Sequence, residues 1–411
     1  MKRCVIIGNG AAAAGCIEGI RSADAEAEIT VVSAEKHAVY GRPLISYYLE
    51  GKTDPAHMNY RSADFYEKNG CRVLYGRTAV GLDPERKEVT LDGGETLPYD
   101  AVCVAAGSSP FVPPFEGLDT VEKKFSFMTL DDAETLAAAV REDSRVLIVG
   151  AGLIGLKCAE GLRGRVGAIT VCDLADRVLS SILDAECAGR MQKRLEENGI
   201  GFLLADSAVR FDKDVAYMRS GKEIGFDILV LCVGVRANTA LVKEAGGEVG
   251  RGIAVDEKML TSLPDVYAAG DCTESVDCSS GARKVMALMP NAYMQGFTAG
   301  VNMAGGEARF DNAIPMNSVG FFGLHAMTAG TYEGELFEEK TDGTLRRFYV
   351  KDGLLKGFIL IGDTTRTGIY TSLIRERTPL ASVDFALLRQ SATTAAFSPA
   401  ERRRKFGGAS K

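Results

Sequence analysis

One hydrophobic pattern occurs twice along the chain. Cys4-Val5-Ile6-Ile7 is a short unbroken apolar run that passes into a glycine loop, a helix-compatible stretch, and a second run, Ile29-Thr30-Val31-Val32. The same succession returns at Val146-Leu147-Ile148-Val149 and ends at Ile169-Thr170-Val171-Cys172. Unbroken apolar runs of this length suit strands of a parallel sheet, whose two faces are both covered and never reach water. Residues 317–380 read differently. Arg347-Phe348-Tyr349-Val350, the turn Lys351-Asp352-Gly353 and Phe358-Ile359-Leu360-Ile361-Gly362 predict strands joined by tight turns, as in a smaller α+β domain. Beyond residue 385 the chain turns to Ala, Ser, Thr and Arg, and the stretch from Ser391 on reads as a loosely held tail.

The two loops carry the first chemistry. In Gly8-Asn9-Gly10-Ala11-Ala12-Ala13, Gly8 permits the tight turn out of the strand and Gly10 lets the backbone approach a pyrophosphate. Ala13 is small enough for close helix–strand packing, and Glu35 follows the second strand where ribose hydroxyls would need an acceptor. The second loop, Gly150-Ala151-Gly152-Leu153-Ile154-Gly155, matches the dinucleotide pattern in full, and its second strand ends at Asp173. A carboxylate there accepts from a free 2′-hydroxyl and repels a 2′-phosphate, so NADH is expected over NADPH; Arg177, four residues on, works against that preference. The expected fold class is α/β, with two three-layer Rossmann-type dinucleotide-binding domains and a small C-terminal α+β domain.

Composition narrows the picture. A length of 411 residues allows two to four domains. Ten cysteines occur with no Cys-x-x-Cys spacing, which removes the usual dithiol, zinc and iron–sulfur signatures and leaves buried reduced thiols; no metal is expected. Only three histidines are present, and His325, in an apolar strand-like stretch, reads as a satisfied core or interface residue. Met286, Met289 and Met294 read as packing. No apolar run approaches a membrane span, and the N-terminal run is too short for a signal peptide, so a cytoplasmic location is expected. The net charge of -7 argues against nucleic acid as a partner. Lys340 to Lys411, however, holds 14 Lys+Arg against 6 Asp+Glu, a surplus of +8 that suits an acidic docking partner as well as a solvated surface.

Further segments extend the reading. Tyr99-Asp100-Ala101-Val102-Cys103-Val104-Ala105-Ala106-Gly107 has a counterpart in Phe226-Asp227-Ile228-Leu229-Val230-Leu231-Cys232-Val233-Gly234, and Val266-Tyr267-Ala268-Ala269-Gly270-Asp271 follows. In this order and spacing, the chain resembles the pyridine nucleotide–disulfide oxidoreductase superfamily. Tyr40-Gly41-Arg42-Pro43-Leu44-Ile45-Ser46 and the C-terminal stretch through Gly368-Ile369-Tyr370 resemble its NADH:rubredoxin reductase and nitrite reductase flavoprotein members. The resemblance implies FAD at Gly8, Asn9, Gly10, Ala12, Ala13, Glu35, Arg42, Pro43, Ala79, Ala106, Gly107, Gly270, Asp271 and Asn291, with Arg42 on a phosphate. It implies NADH at Gly150, Gly152, Leu153, Ile154, Gly155, Asp173, Val233 and Gly234. It also implies a helix from Pro290-Asn291-Ala292 whose N-terminal end faces the flavin. Residues 1–115 and 245–316 would form the FAD domain, 116–244 the NADH domain, 317–385 the C-terminal domain and 386–411 a basic tail.

The departures from the family are specific. No cysteine lies between Gly41 and Ser46, so disulfide chemistry at the flavin is not expected. Relatives often carry Lys at the position of Tyr47 and Glu at that of Lys157; here Lys157 either lies on a helix surface or supplies positive charge near the flavin, facing cofactor, carboxylate or water. The expected activity is FAD-dependent NADH oxidation with electrons passed to a small carrier such as rubredoxin or ferredoxin. The alternatives are a flavin subunit of a larger complex, an NADH oxidase, or a redox-sensing module with little turnover. Oligomerisation is open.

Overall fold

The computed structural model describes residues 1–406. The chain divides into two compact units, one of residues 1–179, 195–275 and 284–311, the other of 180–194, 276–283 and 312 onward.

The first unit holds both copies of the repeated pattern. In one five-stranded sheet the order is Val266–Ala268, Ala101–Val104, Arg3–Ile7, Glu28–Ser33, Cys71–Tyr75, with every pairing parallel. The other runs Lys124–Phe125, Ile228–Leu231, Arg145–Val149, Ala168–Asp173, Ile200–Leu204, again all parallel. The orders correspond, except that the edge strand beside Ala101–Val104 comes from far downstream while its counterpart precedes its own repeat. Both central strands are buried from their second residue onward, as unbroken apolar runs require. The repeat extends to a polar clasp. Arg3 donates from its backbone N, Nε and Nη2 to Asp100, and Arg145 donates from the same three atoms to Asp227. These bidentate pairs hold both carboxyls down at about 2, chiefly through the arginine hydrogen bonds.

Two helices of this unit touch backbone to backbone. A Cβ placed on Gly15 or Gly19 of the helix Ala11–Ala23 would lie 2.2 Å from the carbonyl oxygen of Tyr293 or Phe297. A Cβ on Gly296 or Gly300 of the helix Met289–Met303 would lie 1.9 Å from Ala12 O or 2.1 Å from Cys16 O. Glycines four apart on each helix thus create one seam that no other residue type fits, and it fixes where the second helix begins.

The second unit is built on an antiparallel sheet in the order Met316–Phe321, Leu324–Gly330, Leu354–Ile361, Leu345–Lys351, Glu335–Lys340. The Asp352-Gly353 turn has φ of 56° and 70°, as a tight hairpin demands. Its core gathers Phe348, Phe358, Tyr370, Leu373 and Leu388. Ala392, Ala396 and Phe397 belong to that same core, so the segment expected to hang loosely from Ser391 is anchored by apolar burial through Phe397. The Arg402–Lys405 run falls on the helix Pro399–Phe406, and residues 407–411 lie outside the described residues. His325 is exposed, not a core residue: it occupies an outward position on its strand between half-buried Leu324 and buried Ala326. Arg347, only 12% exposed, meets Asp184, Glu186 and Glu338. Among the described residues no helix is long and apolar enough to cross a membrane.

Candidate dinucleotide sites

Both glycine loops are shaped by the same three constraints. Gly8 and Gly150 have φ of 116° and 117°, and a Cβ on either would lie 2.1 Å from Ala105 O or 2.2 Å from Cys232 O. Gly10 and Gly152 occupy the N-cap positions of the helices that follow; neither helix has a side-chain cap or an acidic residue in its first turn. A Cβ on Gly10 or Gly152 would meet nothing within 4 Å, so each loop leaves open space in front of bare N–H groups. By contrast, the helix Leu130–Ala139 in the same unit has a full capping box from Thr129 and Asp132. An uncapped N-terminus beside an open cradle suits a phosphate group, which the dipole and the N–H groups both favour. In the second loop a Cβ on Gly155 would fall 2.0 Å from Gly150 O, whereas Ala13 is accommodated fully buried in the first.

Around the first loop several segments converge. Gly270, at φ 85°, donates to Gln295 Oε1 (2.8 Å), and its Cβ position is 3.1 Å from the Ala12 methyl and 3.4 Å from that of Ala292. The Gly270-Asp271 turn and buried Asn291 are thereby brought to the loop. Like the two loop helices, Met289–Met303 starts without a side-chain cap or an early acidic residue. Burial raises the pKa of the Asp271 carboxyl, against the pull of Arg42.

Glu35 is held from two sides: Tyr40 donates to Oε2 (2.7 Å) and Arg42 Nη2 to Oε1 (2.6 Å). Arg42, expected on a phosphate, also donates from Nη1 to Met128 O (2.9 Å). Burial works against the Arg42 charge, but Glu35, Tyr40 and Asp271 together outweigh it and its pKa rises. Pro43 follows in the short turn Arg42–Leu44. The Asn9 amide accepts from Tyr66 (2.6 Å) and donates to His37 O (3.2 Å), so it braces the loop. Ala106 O and Gly107 O accept from the Asn238 side chain (2.8 Å) and backbone (3.0 Å). Ala79 opens the strand Ala79–Asp83 of a separate three-stranded sheet, two residues after Arg77 N donates to Ser33 O (2.9 Å).

At the second loop, Asp173 accepts from Ala151 N (2.6 Å) and Ala175 N (2.8 Å), which fixes its carboxylate against the loop backbone. Arg177 pairs with Asp176 (2.8 Å). Leu153 and Ile154 are half-buried at the helix start, and Ile154, Gly234, Phe127, Met128 and Val235 line a cleft of about 190 Å³ including its open mouth. Val233, half-buried, immediately precedes Gly234 in the chain.

Lys157 faces a carboxylate. Its Nζ lies 2.6 Å from Glu160 Oε2 and 5.7 Å from the centroid of the Tyr47 ring, which also carries Lys52 at 6.0 Å. The helices Ile45–Leu49 and Leu153–Leu162 approach closely, because a Cβ on Gly161 would lie 2.8 Å from Ser46 O. Sequence reasoning missed Glu160, Tyr66, Asn238 and Gln295. Glu160 was findable, three residues along the helix from Lys157; the others act across long chain separations that leave no local signal.

The comparisons with known proteins agree with this geometry. Residues 2–296 match the family model described as pyridine nucleotide-disulphide oxidoreductase. The chain is 31% identical over 391 residues to the NADH-dependent phenylglyoxylate dehydrogenase subunit epsilon of Aromatoleum evansii, covering 92% of each chain. It is 31% identical over 393 residues to the nitrite reductase [NAD(P)H] of Bacillus subtilis, covering 92% of this chain but only 48% of that relative, so it spans about half of the longer protein. The structure of NADH:rubredoxin oxidoreductase from Clostridium acetobutylicum superposes with a TM-score of 0.74 at 22% identity, over 91% of this chain and 95% of that one.

Proposed function

The chain belongs to the pyridine nucleotide-disulphide oxidoreductase family, whose cofactors are FAD and NAD(P)H, and from that premise we propose that it oxidises NADH and delivers the electrons, through FAD, to a small redox protein or a partner subunit. FAD supplies two-electron acceptance and one-electron release. The protein supplies binding, orientation and electrostatics.

The observation that carries this reading is the pair of uncapped helix N-termini, each behind an open glycine cradle, in one compact unit. At the first, Gly8, Gly10, Ala12, Ala13, Ala106, Gly107, Gly270 and Asn291 shape the FAD cradle, with Asn9 bracing it and Glu35, Arg42, Pro43 and Ala79 at its ribose and phosphate side. Asp271 offers a half-buried carboxyl. At the second, Gly150, Gly152, Leu153, Ile154, Gly155, Val233 and Gly234 seat NADH. Asp173 stands where it disfavours a 2′-phosphate, and the pairing of Arg177 with Asp176 keeps that arginine from inviting one. Lys157 is a positioning residue, tying the Tyr47 segment to the second loop helix. The absence of cysteine between Gly41 and Ser46 supports electron transfer without a thiol relay.

The flavin-subunit reading has a specific support: the phenylglyoxylate dehydrogenase relative is called a subunit and is matched along 92% of its length. Anaerobic stopped-flow mixing with NADH is the direct test, and flavin bleaching well within a second is expected. A flavin that stays oxidised removes the proposal. Steady-state rates with rubredoxin, ferredoxin or oxygen as the sole acceptor then separate carrier reductase, complex subunit and oxidase.

A further inference from the structure

Two side chains tie Glu35, beside the first glycine loop, to the segment 127–130, beside the second. The Tyr40 hydroxyl donates to Glu35 Oε2 (2.7 Å) and accepts from Leu130 N (2.9 Å). Arg42 divides in the same way, with Nη2 donating to Glu35 Oε1 (2.6 Å) and Nη1 to Met128 O (2.9 Å). The Arg42 guanidinium carbon lies 5.4 Å from the centroid of the Tyr40 ring, so the two side chains run together. His37 adds a third tie, with Nε2 2.6 Å from Asp131 Oδ1. These contacts join stretches of chain 86 to 94 residues apart.

The direction of the Tyr40 bonds is forced. Leu130 N is the first N–H of the helix Leu130–Ala139, one of the donors that a helix N-terminus leaves without an internal partner. The Thr129 side chain accepts from Asp132 N, and Tyr40 accepts from Leu130 N. That N–H can only donate, so the proton of the phenol is left for Glu35. Burial pushes the Tyr40 pKa up, and the phenol keeps its proton at neutral pH. Each Glu35 oxygen takes one donor from the pair and retains a lone pair that a ribose hydroxyl can use. On the other side, the segment that the pair holds carries Phe127 and Met128, which stand with Ile154 and Gly234 around one cleft. One phenol thus sets an acceptor at the first loop and a wall at the second.

Resting on the reading of the two sites given above, we propose that Tyr40 is a positioning residue for both nucleotides, orienting Glu35 towards the FAD ribose and fixing the 127–130 segment against which NADH lies.

The test is Tyr40→Phe in the flavin-loaded enzyme, a change that keeps the ring and deletes both hydroxyl bonds. Anaerobic stopped-flow bleaching at saturating FAD gives the half-saturating NADH concentration and the limiting rate, and dilution gives the rate of flavin release. One hydrogen bond lost on each side is worth a factor of about five, so the half-saturating NADH concentration and the flavin release rate should each rise about fivefold. The limiting rate should change by less than about twofold, as for an interaction that serves binding alone. Tyr66→Phe is the comparison. The Tyr66 hydroxyl braces Asn9 (2.6 Å) and accepts from Val39 N (3.1 Å), so this variant disturbs the first cradle and the backbone beside Tyr40 but leaves both Tyr40 bonds in place. It should hasten flavin release with the NADH dependence unchanged. An unchanged NADH dependence or flavin release in Tyr40→Phe, or an equal shift of the NADH dependence in Tyr66→Phe, overturns the proposal. A flavin that NADH fails to bleach in the unaltered protein would instead overturn the function on which it rests.

Discussion

Replacing Gly296 by Ala tests how the Met289–Met303 helix is aimed. The added methyl would sit 1.9 Å from Ala12 O and 2.7 Å from Ala12 C, short of ordinary contact (3.4 Å) by about 1.5 Å. The obstacle is helical backbone, which cannot rotate aside as a side chain could. Overpacking of this kind costs about 1–3 kcal/mol, and a backbone obstacle puts it at the upper end, while alanine returns about 1 kcal/mol of helix propensity. A net loss of about 2 kcal/mol follows, or about 4–8 °C in Tm for domains of this size. Ala12 lies in the first turn after Gly10, so the strain is delivered to the N–H groups of the first cradle, and FAD should dissociate about tenfold more readily. Scanning calorimetry and release of flavin fluorescence measure the two effects. Gly189→Ala is the control: this exposed helical glycine has nothing within 4 Å of its Cβ position, so the substitution should stabilise by up to about 1 kcal/mol. A Gly296→Ala protein with unchanged Tm and FAD retention would show that the two helices are not locked backbone to backbone.

Other outcomes follow from named contacts. Lys157→Met leaves the Glu160 carboxylate, 12% exposed, without its 2.6 Å cation and should cost about 1–3 kcal/mol, largely recovered in the double variant with Glu160→Gln; additive single effects in denaturant titrations would show the pair is not coupled. Asp173→Ala removes the anchor of Ala151 N together with the charge expected to oppose a 2′-phosphate; the NADH-to-NADPH ratio of kcat/KM should fall about tenfold or more, and an unchanged ratio would remove Asp173 from specificity. Asp100 has a folded pKa near 2, below its ordinary value of 3.8, so the Arg3 clasp stabilises fully above about pH 4 and loses its effect as pH falls from 4 towards 2. Both partners are more than a third exposed, so Arg3→Met should cost little at neutral pH, and that small cost should be gone below about pH 2 in urea titrations followed across that range.

The parts of the fold and site that were legible in the sequence are those written locally. Unbroken apolar runs announced the parallel strands, and Gly8 and Gly150 announced the loops, because a positive φ and a carbonyl about 2 Å away admit no other residue. The clasps at Asp100 and Asp227 were visible as a repeated motif but not as ion pairs, since their arginines lie 97 and 82 residues upstream. The glycine seam was hidden for a related reason. Gly15 and Gly19 look like ordinary interruptions of a helix until Gly296 and Gly300, some 280 residues later, are laid against them. The tail from Ser391 misled because small residues lower apparent hydropathy, yet Ala392 and Ala396 need only a methyl each to pack beside Phe397. For His325 the core alternative fails for the opposite reason: its neighbours are apolar, but a strand alternates its faces, and the residue before a buried Ala326 points outward. Lys157 shows how a half-buried cation is accommodated: it needs a counter-charge, and the chain provides Glu160 one turn along the same helix, 2.6 Å from its Nζ.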